Sequence, residues 1–330
     1  MADQLLDVVG IGNAIVDVLS HADDGDLARH ALAKGTMRLI DADEAARLYA
    51  EMGPAVECSG GSAANTMAGL ASFGGRAAFV GKTRDDQLGA IFGHDLRAAG
   101  VEFETRAAAD GPATAQCLIF VTPDAQRTMN TYLGACAQLG PEDIEPATIA
   151  RAKVTYLEGY LWDPPAAKDA FRKAMHLAHE AGRKVALTLS DAFCVERWRG
   201  EFRDLVEREV DILFANEEEI KALYSVDDFD DAVQAARGAC EITALTRSEK
   251  GSMVLTDNEI QVVDCEPVAR VVDTTGAGDL YAAGFLFGLN RGEDPRTCGI
   301  LGGVAAAEVI SHFGARPERP LAALARARLG

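Results

Sequence analysis

"VVDTTGAGDLYAAGFLFGL", residues 271–289, passes from two valines through a glycine loop into an apolar run, with a single carboxylate at its mouth. The valines read as the end of a strand at Val272, and a helix is expected to start near Asp279. In between, Gly276, Ala277 and Gly278 let backbone N–H groups converge on one point, where a helix N-terminus adds partial positive charge. Such a loop suits an anion whose charge shifts during transfer. An aspartate at a helix start ordinarily caps the helix and answers its dipole. Here no further charge follows until Arg291, so the helix is expected to be central and buried, its N-terminus opening into a cleft. A carboxylate beside an anion site is awkward unless it handles a proton. Accepting the proton of an attacking hydroxyl removes the awkwardness.

Outward from this loop, short apolar runs alternate with helical patterns. "VALTLS" and "DILFAN" are continuously apolar rather than alternating, as parallel strands covered on both faces should be. Gly100 and Gly182 end helices before the next strand, as C-cap glycines do. The pattern predicts an α/β, doubly wound, three-layer arrangement. Two segments break it: residues 34–40, "KGTMRLI", and residues 113–133, "ATAQCLIFVTPDAQRTMNTYL", which read as strands with a hairpin at "TPDAQR". They are expected to form a small β-sheet lid on a single domain spanning residues 1–330. No internal repeat, low-complexity tract or linker interrupts the chain.

With 330 residues, 48% of them apolar and 25% charged, the chain can fill a sizeable core. A formal net charge of −19 repels phosphate backbones and anionic membranes, so neither nucleic acid nor a membrane is expected as partner. The N-terminus lacks a basic leader before its apolar stretch, and no signal peptide is expected. Seven scattered cysteines without a C-x-x-C pair indicate reduced thiols and a cytoplasmic setting rather than disulfides or zinc. Two other glycine loops fail as nucleotide fingerprints. In "VVGIGNAIVD" the third glycine of a dinucleotide motif would fall on Ile15, and no acid-terminated second strand follows. In "GGRAAFVGKT" the spacing from Gly75 to Gly81 is one residue too long for a phosphate loop.

"DTTGAGDLYAAGFLFGL" resembles the carboxy-terminal signature of the PfkB, or ribokinase-like, carbohydrate and nucleoside kinases. "GGSAANTMAGLASFGGRAAFVGKTRDDQLG", residues 60–89, resembles that family's amino-terminal signature. The resemblance covers essentially the whole chain. It implies a ribokinase-like, Rossmann-like domain with a β-sheet lid, ATP as donor, magnesium, and phosphoryl transfer to a primary hydroxyl. Asp279 then matches the catalytic base, with Gly276, Ala277 and Gly278 as the anion hole. Asp17 matches the acid that binds acceptor hydroxyls, and Gly60, Gly61 and Asn65 the loop beside it. A carboxylate with an amide suits a vicinal diol.

Asn216 and Glu219 match the N-x-x-E motif that positions magnesium, largely through waters, although an acidic helix start ordinarily answers the dipole. Thr246 and Gly251, with Asn216, Thr275 and Gly278, are implied in holding ATP. Asp273 and Thr275 lie where some relatives bind a monovalent cation, potassium being the candidate. Arg127, in the expected lid hairpin, could reach the transferred phosphate, a solvated hairpin arginine being the alternative.

Among relatives the chain is most similar to adenosine kinases, through "GNAIVDV", "GGSAANT", the long lid strands and the tail "AAEVISHFGARPERP". Tyr132, Tyr160 and Trp162 offer flat surfaces for a purine, packing in the core or the lid being the alternative, and Leu39 lies in the other lid segment. Leu280 departs from the usual residue and is placed to narrow the space beside the base. A nucleoside, adenosine first, is the expected acceptor. A sugar kinase of the ribose or fructose type is the alternative, and a nucleotide-binding regulator without catalysis is a reading of another class. Either a monomer or a homodimer is compatible with the sequence.

Overall fold

The computed structural model describes residues 5–124 and 126–330. In chain order its strands are β1 (Leu6–Ile11), β2 (Ile15–His21), β3 (Met37–Leu39), β4 (Ala55–Gly60), β5 (Ala77–Val80), β6 (Val101–Phe103) and β7 (Ala115–Val121). There follow β8 (Arg127–Tyr132), β9 (Ala152–Glu158), β10 (Lys184–Thr188), β11 (Ile212–Asn216), β12 (Ile242–Thr246), β13 (Ser252–Thr256) and β14 (Ile260–Val263).

Nine strands form a large sheet in the order β14-β13-β12-β11-β10-β9-β1-β5-β6. It is parallel from β6 to β12, and β13 and β14 close one edge antiparallel. Helices cover both faces, which is why β1, β5 and the middle of β10 are buried along their length. From β1 the chain builds outward to β5 and β6, then returns to β9 and builds the other way. The reversal lies between β1 and β9, where carboxyl ends open a crevice suited to a ligand.

The small sheet has the order β3-β8-β7-β2-β4. The two expected lid segments supply β3, β7 and β8. Two strands were not anticipated: β2, which leaves β1 after a three-residue link, and β4, which leads into the glycine pair. Asp17 is therefore mid-strand. One face of the sheet packs Val16, Val18, Leu118 and Phe120 into the core with Leu27 and Leu48. On the other face the register sets Asp17 between Cys58 and Cys117, and continues through Thr131 to Leu39.

One expectation fails before the catalytic-type loop. Val271 and Val272 form no strand; residues 264–276 are irregular, and Val271 is exposed. A β-branched pair is strand-like only with a neighbouring edge to join. Here the amide of Val272 instead donates to the Ile310 carbonyl at 2.8 Å. The helix Ala277–Arg291 is central, as its apolar sequence requires. It packs beneath the sheet against the helices Ser62–Ser72 and Pro295–Val309 and ends on Gly292 in the left-handed region. Phe285 is fully buried and meets Phe214 edge-on with centroids 5.4 Å apart. Truncating it should leave a cavity at the centre. Phe285→Ala is expected to cost about 3–5 kcal/mol of unfolding free energy, read as a lowered urea midpoint with native circular dichroism retained.

Candidate active site

Gly276 caps the helix Ala277–Arg291 with φ +78°, and a Cβ there would lie 2.7 Å from the Cβ of Ala315. Only glycine turns the chain in that space. Nothing stands within 4 Å of a Cβ built at Gly278, so the helix mouth is open. Of the expected anion hole, the Ala277 amide is already taken by the Thr274 carbonyl at 3.2 Å, because the chain turns there, whereas among the described residues the amides of Gly276, Gly278 and Asp279 meet no protein acceptor. They are the free donors that a helix start leaves for an anion. In the same turn the carboxylate of Asp279 accepts hydrogen bonds from Ser62 Oγ at 2.6 Å and Asn65 Nδ2 at 3.0 Å. Burial pushes its carboxyl above the usual carboxylate range, while Ser62, Asn65 and the charge of Arg316 pull it back. Asn65 Oδ1 is buried without a partner.

Asp17 enters from the small sheet. A Cβ at Gly60 would lie 2.5 Å from its carboxyl carbon, so the bare backbone of β4 makes its place. Gly61 has φ +93°, and a Cβ there would lie 2.2 Å from the Asn13 carbonyl. The expected loop of Gly60, Gly61 and Asn65 thus converges with both aspartates. Burial pushes the Asp17 carboxyl up to about 6; Arg127 and Arg316 oppose the shift, and the charges of Asp279 and Asp273 add to it.

Arg127 is not a solvated hairpin arginine. It opens β8, and its Nη1 donates to Asp273 Oδ2 at 2.5 Å and Thr275 Oγ1 at 2.6 Å. Both side chains of the ion pair are buried, 8% and 5% exposed. Asp273 also accepts from the amides of Thr275 at 3.0 Å and Gly314 at 3.1 Å. The pair expected to hold a monovalent cation is therefore engaged by a guanidinium from the small sheet.

Asn216 and Glu219 form a reciprocal capping box at the end of β11. Asn216 accepts from the Glu219 amide, and both Glu219 oxygens accept from Asn216, at 2.9 and 2.6 Å. Helix capping and proximity to the site coincide here. Burial pushes the Glu219 carboxyl up to about 7, with Asp191 and Asp279 adding to the shift. Thr246 ends β12 beside Asn216, and Gly251 follows in a tight turn at φ +81°. No group of three or more His, Cys, Asp or Glu that could chelate a metal directly occurs among the described residues.

The aromatic expectations divide. Tyr160 stays at the rim, 40% exposed, its hydroxyl pushed up by burial and by Asp191, Asp279, Glu219 and Glu158. Trp162 is core: it is 1% exposed, packs between Phe171 and Phe202, and donates to Glu201. Tyr132 alternates to the core-packed face of the small sheet, away from Asp17. Leu280 does not narrow a pocket either. It is fully buried with Phe73, Ala283 and Leu301, on the side where Gly69 leaves it room. Leu39 is 56% exposed on the edge strand, on the Asp17 face but three strands away.

Four contributors were not anticipated. Glu158 ends β9 at the crevice and accepts from Asn13 Nδ2 at 2.6 Å, the Asn13 amide at 3.3 Å and the Ala63 amide at 2.8 Å. Burial pushes it up to about 7. An acid closing a buried parallel strand was the available signal. Ser62 and Asn13 are ordinary loop residues by sequence, and Arg316 lies in a tail remarked only for its resemblance.

The two-sheet architecture is the ribokinase-like fold. The family model for pfkB family carbohydrate kinase matches residues 36–321. Adenosine kinase from Sinorhizobium meliloti superposes with a TM-score of 0.91 at 55% identity, covering 98% of this chain and 99% of that one. A probable sugar kinase protein from Rhizobium etli CFN 42 gives 0.92 at 50% identity, with the same coverage. An ATP-dependent ribose-1-phosphate kinase from Halopiger xanaduensis is 31% identical over 76% of this chain and 78% of its own length.

The ion pair between small sheet and loop yields a direct test. Arg127→Met leaves Asp273 buried and unpaired and should cost about 3–5 kcal/mol of stability. Adding Asp273→Asn should recover part of that loss in a double-mutant cycle. Strict additivity in urea melts would show that the two side chains do not interact.

Proposed function

The chain belongs to the pfkB family of carbohydrate kinases, and on that premise we propose that it transfers the γ-phosphoryl group of ATP to the 5′-hydroxyl of adenosine, giving AMP and ADP. One observation carries the chemistry: Asp279, held by Ser62 and Asn65, stands in the same helix turn as three amides without protein acceptors. A hydroxyl placed there meets a proton acceptor and a cradle for phosphoryl oxygens together.

Asp17 and the unpartnered Oδ1 of Asn65 both accept hydrogen bonds, as a ribose diol requires. As the hydroxyl oxygen bonds to phosphorus and the bond to ADP breaks, Asp279 takes the hydroxyl proton. In a loose transfer that proton can leave late, so a raised carboxyl suits the role. The amides of Gly276, Gly278 and Asp279 hold the developing charge on the transferred group. Thr246 and Gly251, at the end of the large sheet, are assigned to ATP, with Asn216 and Thr275.

Magnesium, when bound, neutralises phosphate charge. The residues fit a hydrated ion: Asn216 occupies both oxygens of Glu219, and burial with the charges of Asp191 and Asp279 pushes the Glu219 carboxyl up, a strain that a nearby cation would relieve. Among the described residues no helix is long and apolar enough to cross a membrane. The seven unpaired cysteines suit the reducing cytoplasm.

Adenosine is favoured by the 55% identity to the Sinorhizobium meliloti adenosine kinase. A sugar such as ribose or fructose is the second reading, favoured by the name of the Rhizobium etli protein. A non-catalytic regulator is disfavoured by the intact Asp279 and its donors.

ADP release from Mg·ATP should be selective for adenosine among nucleosides, ribose, fructose and fructose 6-phosphate. Turnover of a sugar alone would replace the acceptor and keep the chemistry. Asp279→Asn should lose at least about 100-fold in kcat, and near-normal turnover would remove Asp279 as base.

A further inference from the structure

We propose that Arg316 is a positioning residue for the kinase reaction, pinning the Gly60–Gly61 turn and holding positive charge beside Asp17 and Asp279. The inference rests on the kinase reading of that site. Arg316 lies beyond the helix Pro295–Val309. Its Nη1 donates to the Ala64 carbonyl at 3.0 Å, and its Nη2 to the Ser59 carbonyl and hydroxyl, each at 3.2 Å.

Those two carbonyls stand on either side of Gly60, Gly61, Ser62 and Ala63, so one planar fork spans the turn. Gly60 gives Asp17 its space, while Ser62 and Asn65 hold Asp279. Displacing the turn moves both sets. Asp95 fixes the same strand end from the other side, accepting from the Ser59 amide at 3.0 Å.

The segment carrying Arg316 also holds the second loop. The Ile310 carbonyl accepts from Val272 at 2.8 Å, Gly314 donates to Asp273 at 3.1 Å, and Ala315 packs on Gly276. Residues 310–316 thus fasten the turn at Gly60 to the loop at Gly276.

The groups facing the guanidinium are Asp17 on β2, Cys58 on β4, Asp95 on the helix Gln87–Ala98 and Asp279 on the helix Ala277–Arg291. Arg127 and Asp273 also act on Asp17 but are paired with each other. Arg316 has no carboxylate partner within salt-bridge distance among the described residues, so its charge is shared over the site. A lysine would keep the charge and lose the two-carbonyl fork.

Two variants separate these roles. With whichever acceptor is turned over, Arg316→Gln should move the acid limb of the kcat/KM pH profile upward by about one unit. Arg316→Lys should leave the limb in place and lower kcat by about 10-fold or more through misplacement. A folded Gln variant with the wild-type limb would overturn the proposal, as would a Lys variant with wild-type kcat.

A second measurement needs no acceptor. Without the guanidinium the buried carboxyls rise further, and an acid raised on folding loses stability as pH climbs through its folded value. The melting-temperature deficit of Arg316→Gln should therefore be larger at pH 8 than at pH 5. A deficit independent of pH would overturn the charge role. This comparison stands even if adenosine and every sugar fail as acceptors, so failure of the proposed function and failure of this inference are distinguishable.

Discussion

Two carboxylates from separate sheets and helices meet in a chain whose net charge is already −19. Asp17 comes from the small sheet and Asp279 from the first turn of a buried helix. Burial raises both, because a charged group loses its hydration there. Much of the surrounding structure offsets that cost. Ser62 and Asn65 donate to one carboxylate, bare glycine backbone makes room for the other, and Arg127 and Arg316 bring positive charge close to Asp17. A hydroxyl substrate meeting this site finds acceptors on one side and helix-start donors on the other.

The fold explains why the meeting occurs where it does. The reversal of the large sheet falls between the paired strands β1 and β9, and Glu158 at the end of β9 ties Asn13 after β1 to Ala63 at the start of the next helix. The link from β1 is only three residues, so β2 must start beside this crevice and carry Asp17 over it. From the opposite edge of the small sheet's central strands, Arg127 reaches down to Asp273. Small sheet and helix loop are joined by a buried ion pair.

How much of this was legible depended on the range of the signal. The glycine loop, the apolar helix behind Asp279 and the parallel strands are local patterns, and each was placed correctly. Val271 and Val272 are β-branched but lack a strand to join, so local preference misled. β2 and β4 were overlooked because a glycine turn and a polar run, "ECSG", broke their apolar pattern. Trp162 was open between a purine surface and core, and Leu280 was placed beside the base by its chemistry, whereas the faces of neighbouring helices draw both into core. Arg316 was least visible of all, since its partners are two main-chain oxygens and one serine hydroxyl, 252 and 257 positions away, which carry no charged signature.

The central claim is spatial: Asp17 binds the acceptor's diol while Asp279 meets the hydroxyl that is phosphorylated. A crystal structure with adenosine bound tests it most directly. The account predicts both ribose hydroxyls of the diol against Asp17 and Asn65, with the 5′-oxygen in hydrogen-bond reach of Asp279. A ribose whose 5′-oxygen points away from Asp279, or adenosine seated outside the space between the two aspartates, would contradict it.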